Sequence, residues 1–110
     1  MICEAWDVVA VPFPFSDRPG AKRRPALVLS RKPFNAAGHA VMAMITTKAT
    51  PPWPGDHALQ NVGAAGLRVP CLVRLKLFAL DGRLLQKRLG RLSAPDRSEV
   101  TAALRTHLAL

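Results

Sequence analysis

The 110-residue sequence contains few cysteines, few aromatic residues and few acidic residues. Its two cysteines, Cys3 and Cys71, are too few for the disulfide framework of a small secreted protein. The His and Cys residues also lack the spacing of a metal site, so we predict no bound metal or cofactor. No apolar stretch approaches the ~20 residues that cross a bilayer, and the acidic start of the chain, with Glu4, does not resemble a signal peptide. These absences together predict a cytoplasmic protein.

Acidic residues are scarce relative to basic ones. The sequence has sixteen Lys and Arg against seven Asp and Glu, and its formal net charge is +9. The basic residues concentrate in two stretches, 18–32 and 68–91. Clustered positive charge of this size is typical of a surface that attracts a polyanion. It does not by itself distinguish RNA, DNA and an acidic protein as the partner.

A chain of this length is expected to form one domain, 1–110, with room for a hydrophobic core. Short apolar runs rich in β-branched residues, separated by Gly, Pro and Asn, predict strands over most of the chain. The predicted strands are 7–13, 26–30, 39–46, 56–61, 71–78 and 84–92.

The C-terminal part of the sequence carries a clear helix signal. Ser93 is a favourable N-cap, Pro95 fits the first turn, and Asp96 stands three residues after the cap. Val100 and Leu104 then follow at a spacing of four residues, which predicts one apolar stripe that packs on the sheet. The predicted fold class is therefore mainly β with a C-terminal α-helix, in which the strands form a small, curved, barrel-like sheet.

Aromatic and basic residues close to the predicted strand ends are candidates for binding nucleic acid. Exposed rings beside cations form platforms on which unpaired bases stack, worth about 1–3 kcal/mol per base. The sequence is equally consistent with rings that only pack beneath their own loops. The RNA-binding residues predicted in this way are the aromatic Phe13, Phe15 and Trp53 and the basic Lys22, Arg23 and Lys48.

Several segments, taken in order, resemble the MazF/PemK (Kid) family of toxins. They are WDVVAVPFPFSD, KRRPALVLS, MAMITT, GAAGLRVPCLVRLKLFAL and KRLGRLS. The resemblance runs from Trp6 to the terminal helix. It implies an SH3-like barrel with a C-terminal helix, a homodimer, metal-independent cleavage of single-stranded RNA, and inhibition by a cognate acidic antitoxin.

The resemblance also implies two catalytic residues. The arginine of the family's motif, Arg-Pro followed by three apolar residues and Ser, matches Arg24, and the threonine that ends the third main strand matches Thr46. If the two strands are neighbours, the guanidinium and the hydroxyl meet at one rim of the barrel. There they would stabilise the negative charge that builds on a phosphate when a ribose 2′-hydroxyl attacks it. Asp17 and Thr47 lie in matched segments and join the expected RNA-binding residues.

The sequence departs from the family pattern at the residues that transfer protons. Where Kid-like members carry a histidine in the first long loop, this sequence has Arg18, and their Arg-x-Asp motif falls on Val69 and Cys71. Asp17, Asp56 and His57 are the candidate acid/base residues that would replace them.

Two alternative functions stay open at this point. The CcdB toxin resembles this family in fold but binds DNA gyrase without catalysis. A degenerate family member would bind only nucleic acid or an antitoxin, and it would contact DNA only through that antitoxin. The missing acid/base residues leave room for both.

Overall fold

The computed structural model describes residues 2–13 and 22–110. Within these residues a 3₁₀ turn, Gly82–Leu84, follows the fifth strand. None of the helices in these two ranges is long and apolar enough to cross a membrane. The elements are β1 (Asp7–Phe13), β2 (Lys22–Val28), α1 (Lys32–Asn35), β3 (His39–Thr46), β4 (His57–Ala58), β5 (Leu72–Asp81), β6 (Lys87–Arg91) and α2 (Ala94–His107).

The six strands form one curled antiparallel sheet in the order β4-β5-β3-β2-β1-β6. β1 pairs with β2 on one side and with β6 on the other. Its residues are buried from Asp7 through Pro12, as expected for a valine-rich strand covered on both faces. The predicted fold class, mainly β with a C-terminal helix, is confirmed.

The sheet has a hydrophobic core on each face because neighbouring residues of a strand point to opposite sides. In β2, Ala26 and Val28 belong to one core, whereas Leu27 belongs to the other. The second core is closed by α2, which contributes the fully buried Val100. Each strand in the middle of the sheet therefore packs on both sides.

The start of β2 lies earlier than the sequence predicts. Its pairing with β1 continues outward from the core, with Arg24 opposite Val11 and Lys22 opposite Phe13. The strand therefore begins at Lys22 rather than at residue 26, and the three consecutive basic residues belong to it. Their exposure hid them from a prediction based on apolar residues.

The edge strand predicted over 56–61 is reduced to the two residues of β4, and the physical reason lies in the helix. The backbone N–H groups of Gln60 and Asn61 donate to the carboxylate of Asp96, at 2.8 and 3.1 Å. Those amides are therefore unavailable for a sheet ladder. The last strand also shortens, to Lys87–Arg91, because the 3₁₀ turn precedes it.

The N-terminus of α2 is fastened to the sheet through Asp96. Ser93 caps the helix as predicted, and its hydroxyl contacts the Asp96 carboxylate at 3.0 Å. His57 Nε2 lies 2.8 Å from the other carboxylate oxygen. Burial alone would raise the pKa of Asp96, but the hydrogen bonds from Gln60, His57, Asn61 and Ser93 together hold that pKa below its usual value. One buried carboxylate thus joins the helix, β4 and the loop after it.

We expect Asp96→Ala to lower the free energy of unfolding by about 3 kcal/mol, because it leaves buried donors without an acceptor. Chemical denaturation at several pH values measures this. The pKa of Asp96 is lower in the folded protein than in the unfolded chain. Its contribution is therefore complete above an ordinary carboxyl pKa of about 4 and is lost as the pH falls through the folded value.

The matched control is Asp81→Ala, which removes an exposed ion pair with Arg83 and should change stability far less. Equal losses in the two variants, or a loss for Asp96→Ala that does not shrink in acid, would contradict the role given to Asp96.

Candidate functional site

A cleft of about 290 Å³ opens where β2 and β3 separate. None of the described residues that line it is acidic. The lining residues are Phe13, Arg24, Pro25, Met44, Ile45, Thr46, Thr47, Lys48 and Cys71.

The register of β2 and β3 brings Arg24 and Thr46 to this cleft. The described pairing of the two strands ends with Ala26 opposite Met44. Arg24 comes two residues before Ala26 in β2, and Thr46 comes two residues after Met44 in β3. Because the strands are antiparallel, both residues lie two positions beyond that last pair, on the same side of it. Pro25 lies between Arg24 and Ala26. Because a proline has no N–H to donate, it favours the end of a ladder of hydrogen bonds between strands. The strands part beyond this point, and the cleft lies between them.

Arg24 places its positive charge at the cleft. Its guanidinium has no ion-pair or hydrogen-bond partner among residues 2–13 and 22–110, and the residue is exposed. The residue before a proline is restricted to extended conformations, which fits its pairing with Val11 in β1. The backbone of Arg24 is therefore fixed while its charge stays available to an anion.

The hydroxyl of Thr46 is oriented by the backbone that follows it. The N–H of Lys48 donates to Thr46 Oγ1 at 3.1 Å. Because this bond uses the oxygen as an acceptor, the hydroxyl proton is left to donate elsewhere. Thr47 and Lys48 are both exposed beside it.

Asp56 is engaged away from the cleft. Arg74 donates from Nε and Nη2 to its two carboxylate oxygens, at 3.1 and 2.8 Å. Hydrogen bonds from the Arg74 guanidinium hold the pKa of Asp56 below its usual value, and they outweigh the opposing effect of partial burial. The N–H of Trp53 donates to the same carboxylate at 2.9 Å, and Lys76 Nζ lies 5.5 Å from the centroid of the Trp53 ring. Asp56 therefore anchors the loop between β3 and β4 onto β5.

His57 is likewise engaged elsewhere, through its contact with the buried Asp96. Neither it nor Asp56 lines the cleft. In the part of the chain that the structure describes, no group of three or more His, Cys, Asp or Glu is placed to hold a metal ion.

The structure brings together five of the residues proposed from the sequence and separates others. Phe13, Arg24, Thr46, Thr47 and Lys48 line the cleft. Lys22 and Arg23 precede Arg24 along β2, and Arg23 Nε donates to Gln86 Oε1 at 3.1 Å. Trp53, Asp56 and His57 lie outside the cleft lining, whereas Phe15, Asp17 and Arg18 fall outside the described residues.

Cys71 also lines the cleft, although it is not among the site residues predicted from the sequence. Burial raises the pKa of this thiol, and its Sγ donates to the carbonyl of Val69 at 3.2 Å. Its place at the aspartate position of the family's Arg-x-Asp motif is the one signal in the sequence that could have placed it at the site.

The fold and this cleft agree with the result of comparison with known proteins. A family model described as the PemK-like, MazF-like toxin of type II toxin-antitoxin systems matches residues 4–108. Because the match spans nearly the whole chain, the protein belongs to this family of toxins. The family is known for endoribonuclease toxins.

Solved structures give more particular similarities. The chain is similar to MazF from Deinococcus radiodurans, crystal form I, at 28% identity and a TM-score of 0.72, with 96% of each chain covered. It is similar to the MazE-MazF complex of that organism, form III, at 27% identity and a TM-score of 0.74, covering 96% of this chain and 95% of that one. An endoribonuclease from Mycobacterial species, in complex with its cognate antitoxin, shares the fold at 18% identity and a TM-score of 0.72, with 96% and 91% covered. Comparison with curated protein sequences gives no significant match.

We expect Arg74→Ala to release the loop between β3 and β4, because that loop is fastened by the contacts of Asp56 with Arg74. Amide hydrogen exchange at Trp53 and Asp56 should become faster, and the Trp53 fluorescence should shift towards that of a solvated indole. Arg83→Ala is the matched control, since it breaks another Arg–Asp pair whose arginine is 90% exposed rather than 12%. Unchanged exchange at Trp53 in Arg74→Ala would contradict this anchoring.

Proposed function

We propose that the protein is a metal-independent endoribonuclease toxin that cleaves single-stranded RNA and so inhibits translation and growth. The observation that carries this proposal is the cleft itself. It sets the guanidinium of Arg24, which has no partner among the described residues, beside the oriented hydroxyl of Thr46, with no acidic side chain among its described lining. Family membership and the similarity to MazF support the same function.

The proposed reaction needs no group beyond the RNA for its nucleophile. The ribose 2′-oxygen attacks the adjacent phosphorus, the bond to the 5′-oxygen of the next nucleotide breaks, and the products end in a 2′,3′-cyclic phosphate and a 5′-hydroxyl. One proton leaves the 2′-hydroxyl and one reaches the departing 5′-oxygen. The need for a 2′-hydroxyl selects RNA over DNA without base-specific contacts.

Arg24 and Thr46 are assigned to the charge that develops on the phosphoryl oxygens. A guanidinium stays protonated, so it supplies a fixed charge and five donors rather than a base. Well-placed donors of this kind are each worth roughly 10²–10³ in rate. Of the candidate acid/base residues, Asp56 would first have to leave Arg74, and His57 would first have to leave Asp96. We therefore propose that stabilisation of charge supplies most of the rate.

Lys48, Thr47, Lys22 and Arg23 are proposed to hold the RNA backbone around the scissile phosphate, and Phe13 to contact a base. The expected partners are single-stranded RNA, a second copy of the chain and an acidic antitoxin whose charge complements the basic residues at and beside the cleft. The proposed place of action is the cytoplasm, where mRNA is translated.

We expect Arg24→Ala to abolish RNA cleavage and growth inhibition, with the fold retained. Purified protein is incubated with single-stranded RNA in the presence of a chelator, and the RNA ends are sequenced. Arg24→Lys keeps the charge but loses the fork of donors, so it should retain only a small fraction of the activity. Arg31→Ala is the control, because it removes an exposed arginine beyond the other end of β2.

Cleavage by Arg24→Ala at the rate of the wild type would rule out the role of Arg24. Intact RNA with every protein, together with arrest of DNA gyrase, would favour a CcdB-like binder. Binding of RNA without cleavage or toxicity would favour a degenerate member of the family.

We expect Thr46→Val to lower kcat roughly 10²- to 10³-fold with little change in KM, since valine keeps the shape but has no hydroxyl proton to donate. Thr46→Ser should restore most of the rate because it keeps the hydroxyl. The measurement is single-turnover cleavage of a fluorescently labelled RNA. Equal rates for Thr46→Val and the wild type would show that Thr46 only packs at the strand end.

A further inference from the structure

A second cleft, of about 260 Å³, lies on the other side of Arg24, towards β6. Arg24 and Pro25 line both clefts and form the ridge between them. None of the described residues that line the second cleft is acidic. They are Ala10, Arg23, Arg24, Pro25, Leu67, Lys87 and Leu89.

The sheet fixes the distance between Lys87, a cation of this cleft, and the ridge formed by Arg24 and Pro25. Lys87 lies opposite Ala10, and Ala10 lies opposite Pro25, so the three residues form a row across β6, β1 and β2. Two strand spacings separate the ends of this row, about 10 Å. Lys87 is exposed and has no hydrogen-bond or ion-pair partner within residues 2–13 and 22–110. Its charge is therefore available to an anion that extends past Arg24.

The apolar side of the second cleft is rigid. The register of β1 and β6 shifts between Val8 and Val9, so Leu89 is an extra residue on β6, and such bulges redirect a side chain. A Cβ on Gly66 would come within 2.0 Å of the Leu89 carbonyl oxygen, so only glycine permits this close approach. The loop before Leu67 is thereby held against β6, and Arg91 N–H donates to the carbonyl of Ala64 at 3.0 Å.

We propose that the second cleft is a nucleotide subsite for the same RNA strand that presents its scissile phosphate to Arg24. The base or sugar of a neighbouring nucleotide lies on Leu67 and Leu89, and its phosphate contacts Lys87 and Arg23. The inference rests on the proposed function. A scissile phosphate has a nucleotide on each side, and Arg24 has a cleft on each side. Continuity through Arg24 and the lack of acidic side chains among the described lining make RNA the occupant.

The test compares substrates of different length. One is a dinucleotide that contains only the scissile linkage, and the others are chimeric oligonucleotides with one ribonucleotide, extended with deoxynucleotides on the 5′ or the 3′ side. Lys87→Ala should lose about tenfold more kcat/KM on one of the extended substrates than on the dinucleotide, mainly through KM, because the dinucleotide lacks the neighbouring phosphate. Leu67→Ala should lose kcat/KM on every length, because each substrate contains the nucleoside that flanks the scissile phosphate. Lys32→Ala, which removes an exposed cation on α1, should show no such dependence on length.

A binding measurement separates the subsite from the reaction. Fluorescence anisotropy with a single-stranded RNA that carries a 2′-O-methyl group at the scissile position reports binding without cleavage. Lys87→Ala should weaken this binding and reduce the slope of log K against log salt by about 0.7. Thermal unfolding identifies any loss of fold in Leu67→Ala, and the exposed Lys87→Glu provides an independent variant with a larger expected effect.

The outcomes distinguish the two proposals. Wild-type protein that cleaves RNA, with a Lys87→Ala variant that loses activity equally on all lengths or not at all, or a Leu67→Ala variant that loses none, would overturn the subsite alone. Wild-type protein that cleaves no RNA would overturn the proposed function, and the anisotropy data would then decide the subsite. Unchanged RNA affinity and an unchanged salt slope in Lys87→Ala and Lys87→Glu would overturn the proposed subsite.

Discussion

The register between β2 and β3 is the constraint on which both the fold and the candidate site depend. Ala26 lies opposite Met44, and because side chains alternate between faces, a shift by one residue would exchange the faces of the strand. Leu27 would then leave one core, and its neighbours would leave the other. Packing on both faces therefore holds one register. That register also decides which residues stand beyond the last pair, and these are Arg24 and Thr46.

Local patterns in the sequence predict the elements well, but not their ends. The valine-rich β1 could be assigned from its own residues, and so could the Ser93 cap, because a capping interaction spans only one helical turn. The start of β2 could not, since Lys22 and its basic neighbours are exposed and join the strand only through their pairing with β1. The shortening of β4 depends on Asp96, which lies 36 residues from Gln60 and leaves no local signal.

The site shows the same division between local and distant information. Arg24 and Thr46 were assigned through a motif that each carries in its own segment. The engagement of Asp56 by Arg74 and of His57 by Asp96 joins residues 18 and 39 positions apart, and no short motif records it. The second cleft depends on a bulge and on the close approach of two backbone segments. These follow from the assembled sheet, so sequence patterns contain no signal for them.

The buried carboxylate of Asp96 has a consequence for how parts of the molecule open. Its four partners belong to the edge strand β4, the loop after it and the cap of α2. If one of these segments moves away, its hydrogen bond to the Asp96 carboxylate is lost. The buried carboxylate or a buried donor is then left with fewer partners in the interior. The edge strand and the first turn of the terminal helix are therefore coupled in local unfolding. Opening of either one removes part of what holds the other closed.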